Sequence, residues 1–176
     1  MIESSAPNIP LLAFQSALTF SKLLLNRQLH RRQELVGTTY SIEGAGDFTV
    51  FRNTVSDTET QEEPVVLVVG FALKGIHSSS IGHWLFQRVC LLTTPFWSGL
   101  PGFKVKLWMV DAQTKRYLGI YDWRGELHAR RYVEALVRVL TPLSTENSVW
   151  FRLMPGNSLE EYLNVRRLAL SPCPSS

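Results

Sequence analysis

Apolar and polar positions alternate with different periods along this chain of 176 residues. From about Pro10 to Gln33, Leu11, Leu12, Phe14, Leu18, Leu23, Leu24 and Leu25 recur at mixed three- and four-residue steps. Pro10 suits a first helical turn, so the stretch predicts an amphipathic helix. GTTYSIEGAGDFTVFR then alternates on both sides of Glu43-Gly44-Ala45-Gly46-Asp47, which is the pattern of a hairpin. NTVSDTETQEEP is polar, acidic and closed by a proline, and predicts a linker over residues 53–64. VVLVVGFAL, residues 65–73, is a near-continuous β-branched run suited to a strand buried on both faces. Ser78, Ser79 and Ser80 offer N-cap hydroxyls for a helix running to about Leu92, and Pro95, Ser98, Gly99, Pro101 and Gly102 break it.

A second hairpin is expected in LPGFKVKLWMVDAQTKRYLGIYDWRG, residues 100–125. After it, ELHARRYVEALVRVL places Ala129, Tyr132, Val133, Leu136, Val137 and Leu140 along one helical stripe, with Glu126 at the positive end of the helix dipole. SVWFRLM alternates as a last strand. The order β-α-β-β-α-β predicts an α+β, ferredoxin-like sandwich: a four-stranded antiparallel sheet with two helices on one face. The expected organisation is a helix-and-hairpin extension (1–52), a linker (53–64), the ferredoxin-like domain (65–156) and a C-terminal tail (157–176). A bare second sheet face favours association, so two subunits are expected to meet sheet to sheet as a homodimer.

Register decides which side chains share a face in the second hairpin. With an even loop, Asp111 across from Arg116, Trp108 lies opposite Gly119, Lys106 opposite Tyr121 and Lys104 opposite Trp123. One face then carries Val105, Leu107, Met109, Leu118 and Ile120. The other carries Lys104, Lys106, Trp108, Val110, Tyr117, Tyr121 and Trp123; Asp122 alone breaks the segregation. An odd loop mixes the two sets. The lysines fit among the rings because a long stem can lie along an indole or phenol while the ammonium reaches solvent, a carboxylate or an anionic ligand. Gly119 leaves a gap beside Trp108 that either lets the indole lie flat or admits a ligand. Two readings follow: an aromatic packing or dimer face, and a pocket for a planar ligand.

Composition narrows the classes. With 45% hydrophobic and 19% charged residues the chain can build one real core. A net charge of +3 spread over 18 basic and 15 acidic residues reserves no face for a polyanion, and RQLHRR is too brief to change this, so no nucleic-acid partner is expected. Two cysteines, Cys90 and Cys173, offer neither a disulfide framework nor metal-ligand spacing, which suits a reducing cytoplasm. PLLAFQSALTFSKLLL is broken by Gln15, Ser16, Ser21 and Lys22 and falls short of the roughly 20 apolar residues a membrane span needs. Its charges are in the wrong order for a signal peptide. Contact with a membrane surface through the helix ending in Arg27, Arg31 and Arg32 stays open.

Leu100-Pro101-Gly102-Phe103 leading into Lys106-Leu107-Trp108, then Leu118-Gly119-Ile120-Tyr121-Asp122-Trp123 and a helix with Ala129 and Tyr132, resembles the monooxygenases of the dimeric α/β-barrel superfamily, the antibiotic-biosynthesis type. The likeness covers roughly residues 64–156. It implies a ferredoxin-like protomer, a sheet-to-sheet dimer and a cavity between sheet and helices for a small, often aromatic or polyketide molecule. The group includes cofactor-independent oxygenases, haem-degrading enzymes, cyclases and proteins with no assigned reaction, and fold cannot choose among them.

Oxygenation without a cofactor needs an enolisable substrate, donors to hold the enolate and a dry pocket. Lys106, Tyr121 and Trp108 can supply a positive charge, a phenol and an apolar wall. His83, beside Trp84 at the start of the first predicted helix, is the base by residue type. The candidate set is therefore His83, Lys106 and Tyr121 for chemistry, and Trp84, Trp108, Gly119, Trp123 and Tyr132 for the substrate, with no metal and no cofactor. His128 reads as solvated, His30 as exposed and His77 as a loop residue, while Cys90 sits among Val89, Leu91 and Leu92 as core. Haem would need an axial histidine, for which His83 alone is placed. A carrier or sensor using the same pocket, and an interaction module docking through the N-terminal helix, are the alternatives.

Overall fold

The computed structural model of the chain describes residues 29–57, 61–74 and 100–167. Seven strands and two helices lie in these residues: β1 (Leu29–Arg32), β2 (Thr39–Ile42), β3 (Gly46–Ser56), β4 (Pro64–Phe71), β5 (Phe103–Val110), β6 (Tyr117–Arg124), α1 (Glu126–Leu143), β7 (Trp150–Pro155) and α2 (Leu159–Asn164). The strands make one antiparallel sheet in the order β1-β3-β5-β6-β4-β7, with β2 also paired to β3. This is a mixed α and β architecture with a curled antiparallel sheet and few helices, consistent with a ferredoxin-like fold. The first helix of the expected β-α-β-β-α-β order, and most of the N-terminal helix, lie outside the described residues.

β4 is an interior strand of the sheet, one in from the β7 edge. Val65 to Gly70 are all buried, because β6 and β7 flank the strand and side-chain layers cover both of its faces. An unbroken β-branched run can afford this, since it has no polar face to keep wet. Gly70 is small for a reason of packing: a Cβ there would run into the indole of Trp150 on β7.

The β5–β6 hairpin adopts the even register, with Lys106 opposite Tyr121, Leu107 opposite Ile120, Trp108 opposite Gly119 and Met109 opposite Leu118. Asp111 builds the turn. Its backbone N–H donates to the Arg116 carbonyl at 2.9 Å, and its carboxylate accepts from the backbone of Gln113 at 2.9 Å and of Thr114 at 3.1 Å. Lys115 takes the left-handed conformation, φ 58°, that closes it. The register shifts between Phe103 and Val105. Phe103, rather than Lys104, therefore faces Trp123, because one extra residue in a bulge moves everything beyond it by one position.

β3 corrects the expected organisation. It runs on to Ser56, four residues into the predicted linker, and pairs directly with β5 from Thr49–Val110 to Val55–Val105. The β2–β3 hairpin forms as the alternation implied, turning at Gly44 and Gly46 with φ 73° and 107°. It extends the same sheet. β1, Leu29–Arg32, pairs with the far end of β3, so the basic end of the predicted first helix is strand. A free sheet edge rewards pairing more than a helix end does when local propensity is indifferent.

α1 starts after Gly125, φ 82°, where a Cβ would meet the Glu62 carboxylate, and ends past Pro142 at Ser144, whose N–H donates to Leu140. Of the predicted stripe, Ala129, Tyr132, Val133, Leu136 and Leu140 are buried and Val137 is partly so, while Ala135 is buried in addition. α2 was expected to be tail. Ser158 and Glu161 form a reciprocal capping box that starts it, and it buries Leu159, Tyr162 and Leu163.

Two side-chain layers result. One packs α1 on Val65, Leu67, Val69, Phe103, Trp108, Tyr121 and Trp123. The other packs Leu107, Met109, Leu118, Ile120, Val66 and Val68 under Tyr40, Ile42, Phe48 and Val50 from β2 and β3, and under α2. The face away from α1, expected to be left bare for a second subunit, is thus covered by the chain itself. Each large side chain so buried stabilises by about 1.5–3 kcal/mol.

Candidate functional site

The ring-bearing face of the hairpin is the face under α1. Alternation in β5 and β6 sends Lys106, Trp108, Tyr121 and Trp123 to one side, and the helical stripe brings Tyr132 down onto them. Tyr121 and Tyr132 lie 5.0 Å apart between ring centroids, Tyr132 and Trp123 4.8 Å, and Phe103 meets Trp123 edge-on at 5.8 Å. Such tilted and edge contacts suit the ring quadrupoles. Burial, with the neighbouring Tyr121 phenol adding to it, pushes the Tyr132 hydroxyl well above its ordinary range. The Tyr132 hydroxyl therefore stays protonated at neutral pH.

Lys106 does not snorkel. The residue is 3% exposed, and its Nζ lies 3.2 Å from the centroid of the Trp108 ring and 4.7 Å from that of Tyr121. Withdrawing an ammonium from water costs several kcal/mol. Contact with a ring face returns up to about 2 kcal/mol when desolvated. The two rings offset part of the cost and fix where the charge sits.

Gly119 admits no ligand. An ideal Cβ there would stand 2.8 Å from Tyr121 Cε2 and 2.9 Å from its hydroxyl, so the gap beside Trp108 is filled by the Tyr121 ring. Of the expected residues, Lys106, Trp108, Tyr121, Trp123 and Tyr132 come together, and Gly119 makes room for one of them. His83 and Trp84 fall outside the described residues, as do His77 and Cys90.

Lys104 and Asp122 answer each other elsewhere. Asp122 pairs with Val105 and Val66 and belongs to the aliphatic face, where it is 8% exposed. Burial pushes its carboxyl above the ordinary range, against the pull of Arg124, 3.6 Å away, and of Lys104. His128, at the start of α1, is half-buried with its Nε2 3.7 Å from a Glu62 carboxylate oxygen. Among the described residues there is no group of three or more His, Cys, Asp and Glu side chains that could hold a metal ion. No helix among them is long and apolar enough to cross a membrane.

Two residues of this face were not anticipated. Arg52 pairs with Trp108, and Thr54 with Lys106, so β3 continues the ring face with a guanidinium and a hydroxyl. Thr54 is 4% exposed. The alternation of FTVFRNTV could have put Arg52 and Thr54 on one side, but only the pairing of β3 with β5 shows which side that is.

No family model matches this chain, and neither does any curated protein. Among solved structures it is similar to an uncharacterised ferredoxin-fold protein from Listeria monocytogenes 4b F2365 described as related to antibiotic biosynthesis monooxygenases, with 14% identity, a TM-score of 0.45, and coverage of 67% of this chain and 69% of that one.

Proposed function

We propose that the chain is a small-molecule enzyme that binds an enolisable aromatic or polyketide-like substrate on the ring face under α1, as a cofactor-independent monooxygenase or a cyclase. The observation that carries this reading is the Lys106 ammonium, buried at 3% exposure and held against Trp108 and Tyr121. A fixed positive charge in a poorly solvated setting stabilises an enolate far better than the same charge in water. The neighbouring Tyr121 and Tyr132 phenols place further hydrogen-bonding groups on this face. The rings supply flat apolar surface.

In the oxygenase branch a base removes a proton from the activated carbon, and the carbanion passes its electrons to dioxygen. One oxygen atom ends in a new C=O bond, and the other leaves as water with the two hydrogens the carbon gives up. In the cyclase branch the same enolate carbon attacks a carbonyl of the same molecule, and the new bond is followed by loss of water. His83 is the proposed base by residue type.

The test is turnover of an enolisable polyaromatic ketone by the wild type and by Lys106→Met, with and without oxygen. Lys106→Met keeps the stem and removes the charge, and it is expected to lower kcat by about 10²–10³-fold, the usual cost of losing one oxyanion donor. Loss of turnover under nitrogen selects the oxygenase, and unchanged turnover selects the cyclase. A Lys106→Met protein as active as wild type defeats the proposal.

A second reading, a carrier without catalysis, is favoured by the ring contacts themselves. Phe103, Trp123, Tyr132 and Tyr121 form a chain of three ring contacts at 4.8–5.8 Å, packed as a core is. Tight binding with no product over long incubation selects it.

A further inference from the structure

The corner of the ring face where β3 meets β5 is rich in donors. Arg52 stands opposite Trp108 and Thr54 opposite Lys106, so four polar side chains occupy two adjacent cross-strand pairs on one side of the sheet. Directly opposed side chains have Cβ atoms about 4.5–5.5 Å apart, and diagonal ones about 7–8 Å. By chemistry, guanidinium, ammonium and indole N–H can only donate; the Thr54 hydroxyl can do either. Two of these groups have unmet bonds. The Trp108 Nε1 and the Thr54 Oγ1 are buried without a hydrogen-bond partner, on residues that are 7% and 4% exposed. A buried polar atom left unpaired costs about 1–3 kcal/mol, which a bound acceptor would recover. Arg52 is half-buried, with Nε and Nη1 shielded, so this corner runs from the interior out to solvent.

We infer that the molecule this face takes is a planar aromatic acid, whose carboxylate is recognised by Thr54 and Arg52 of β3 together with the Trp108 indole N–H and Lys106 of β5. The inference rests on the proposal that the ring face is a ligand site, and adds the class of ligand and the strand that selects it. A carboxylate has four lone pairs in one plane to set against donors that arrive from two neighbouring strands. It also brings negative charge to a surface where two cations are diagonal neighbours. Charge-assisted hydrogen bonds are roughly twice as strong as neutral ones. The remainder of such a ligand is a flat ring system, which lies toward the half-buried Arg52 end of the corner.

Calorimetric titration of the full chain with naphthoate, and separately with the neutral naphthalenemethanol, tests this. Naphthoate is expected to bind at least about tenfold tighter than the alcohol. Thr54→Val, nearly isosteric, and Arg52→Gln are each expected to weaken naphthoate about tenfold while leaving the alcohol unchanged. Thermal melts of both variants establish that they fold; should Arg52→Gln not fold, Thr54→Val decides. Equal affinity for acid and alcohol, or naphthoate binding indifferent to Thr54→Val, overturns the inference and leaves the ring face as a site for neutral ligands. Binding of neither probe overturns the ligand-site reading and this inference with it.

Discussion

Gly119 and Asp122 sit three residues apart on β6, and each shows how one position sets a local balance. Adding a methyl group at Gly119 places a carbon 2.8 Å from the Tyr121 ring, which is itself buried between Lys106 and Tyr132 and has nowhere to go. Gly119→Ala is therefore expected to destabilise by about 1–3 kcal/mol, as overpacking does, read as a drop in the urea midpoint with unchanged slope. Tyr121→Leu in the same background should return part of the loss, because the obstructing ring is gone. Asp122 works through charge. Burial raises its folded-state pKa above the unfolded value, so the folded chain holds its proton to higher pH than the unfolded one. The associated stability is present below the unfolded pKa and lost as pH rises through the folded one. Asp122→Asn is thus expected to stabilise near neutral pH, with the gain fading as pH falls below the carboxylate range. Asp111 pulls the other way: burial raises its pKa, but hydrogen bonds from Thr114, Gln113 and Arg116 outweigh it and lower the net value, so its stabilisation is lost as pH falls. Urea titrations of wild type and Asp122→Asn at neutral and acid pH separate the two residues. A difference in midpoint that is the same at both pH values would show that the Asp122 charge is not what costs stability.

Elements were legible in the sequence to the degree that their signal is local. β4 announces itself in VVLVVGF, α1 in the stripe from Ala129 to Leu140, and the β5–β6 register in the requirement that rings and aliphatic side chains part company. What was missed depends on distance along the chain or on a single inserted residue. No local pattern says that β3 lies against β5, since the two strands are joined through β4 and the residues after it; Arg52 and Thr54 were invisible as site residues for that reason. The bulge before Val105 exchanges Phe103 for Lys104 opposite Trp123, and alternation alone cannot reveal one extra residue. α2 spans only Leu159–Asn164, too short for a period, although Ser158 and Glu161 carried its capping signature. β1 replaced the end of a predicted helix because LHRR has no strong preference and a sheet edge was available.

For the molecule as a whole, the question is whether residues 39–52, just before the predicted linker, are an appendage or part of the fold. The aliphatic layer decides it. Tyr40, Ile42, Phe48 and Val50 come from β2 and β3, and they interleave with Leu107, Met109, Leu118 and Ile120 of the hairpin and with Leu159, Tyr162 and Leu163 of α2. Arg116, in the β5–β6 turn, donates to the carbonyl of Ala45 in the β2–β3 turn at 2.7 Å, joining the two hairpins at their tips. Contacts of that density couple the parts thermodynamically, so unfolding should be one cooperative transition. Phe48 is 2% exposed, and Phe48→Ala removes a large side chain from the shared layer at an expected cost of about 3–5 kcal/mol. If the extension were separate, that cost would appear as an early, partial transition seen by far-ultraviolet circular dichroism but not by fluorescence in a chain whose other three tryptophans are replaced by phenylalanine, leaving Trp108 and Trp123. In a single cooperative fold both probes shift together to a lower denaturant concentration, and Trp108 and Trp123, on the opposite side of the sheet from Phe48, report its loss at the same midpoint. Coincident curves establish that the strand carrying Arg52 and Thr54 is held as firmly as the hairpin it lies beside, and split curves detach it.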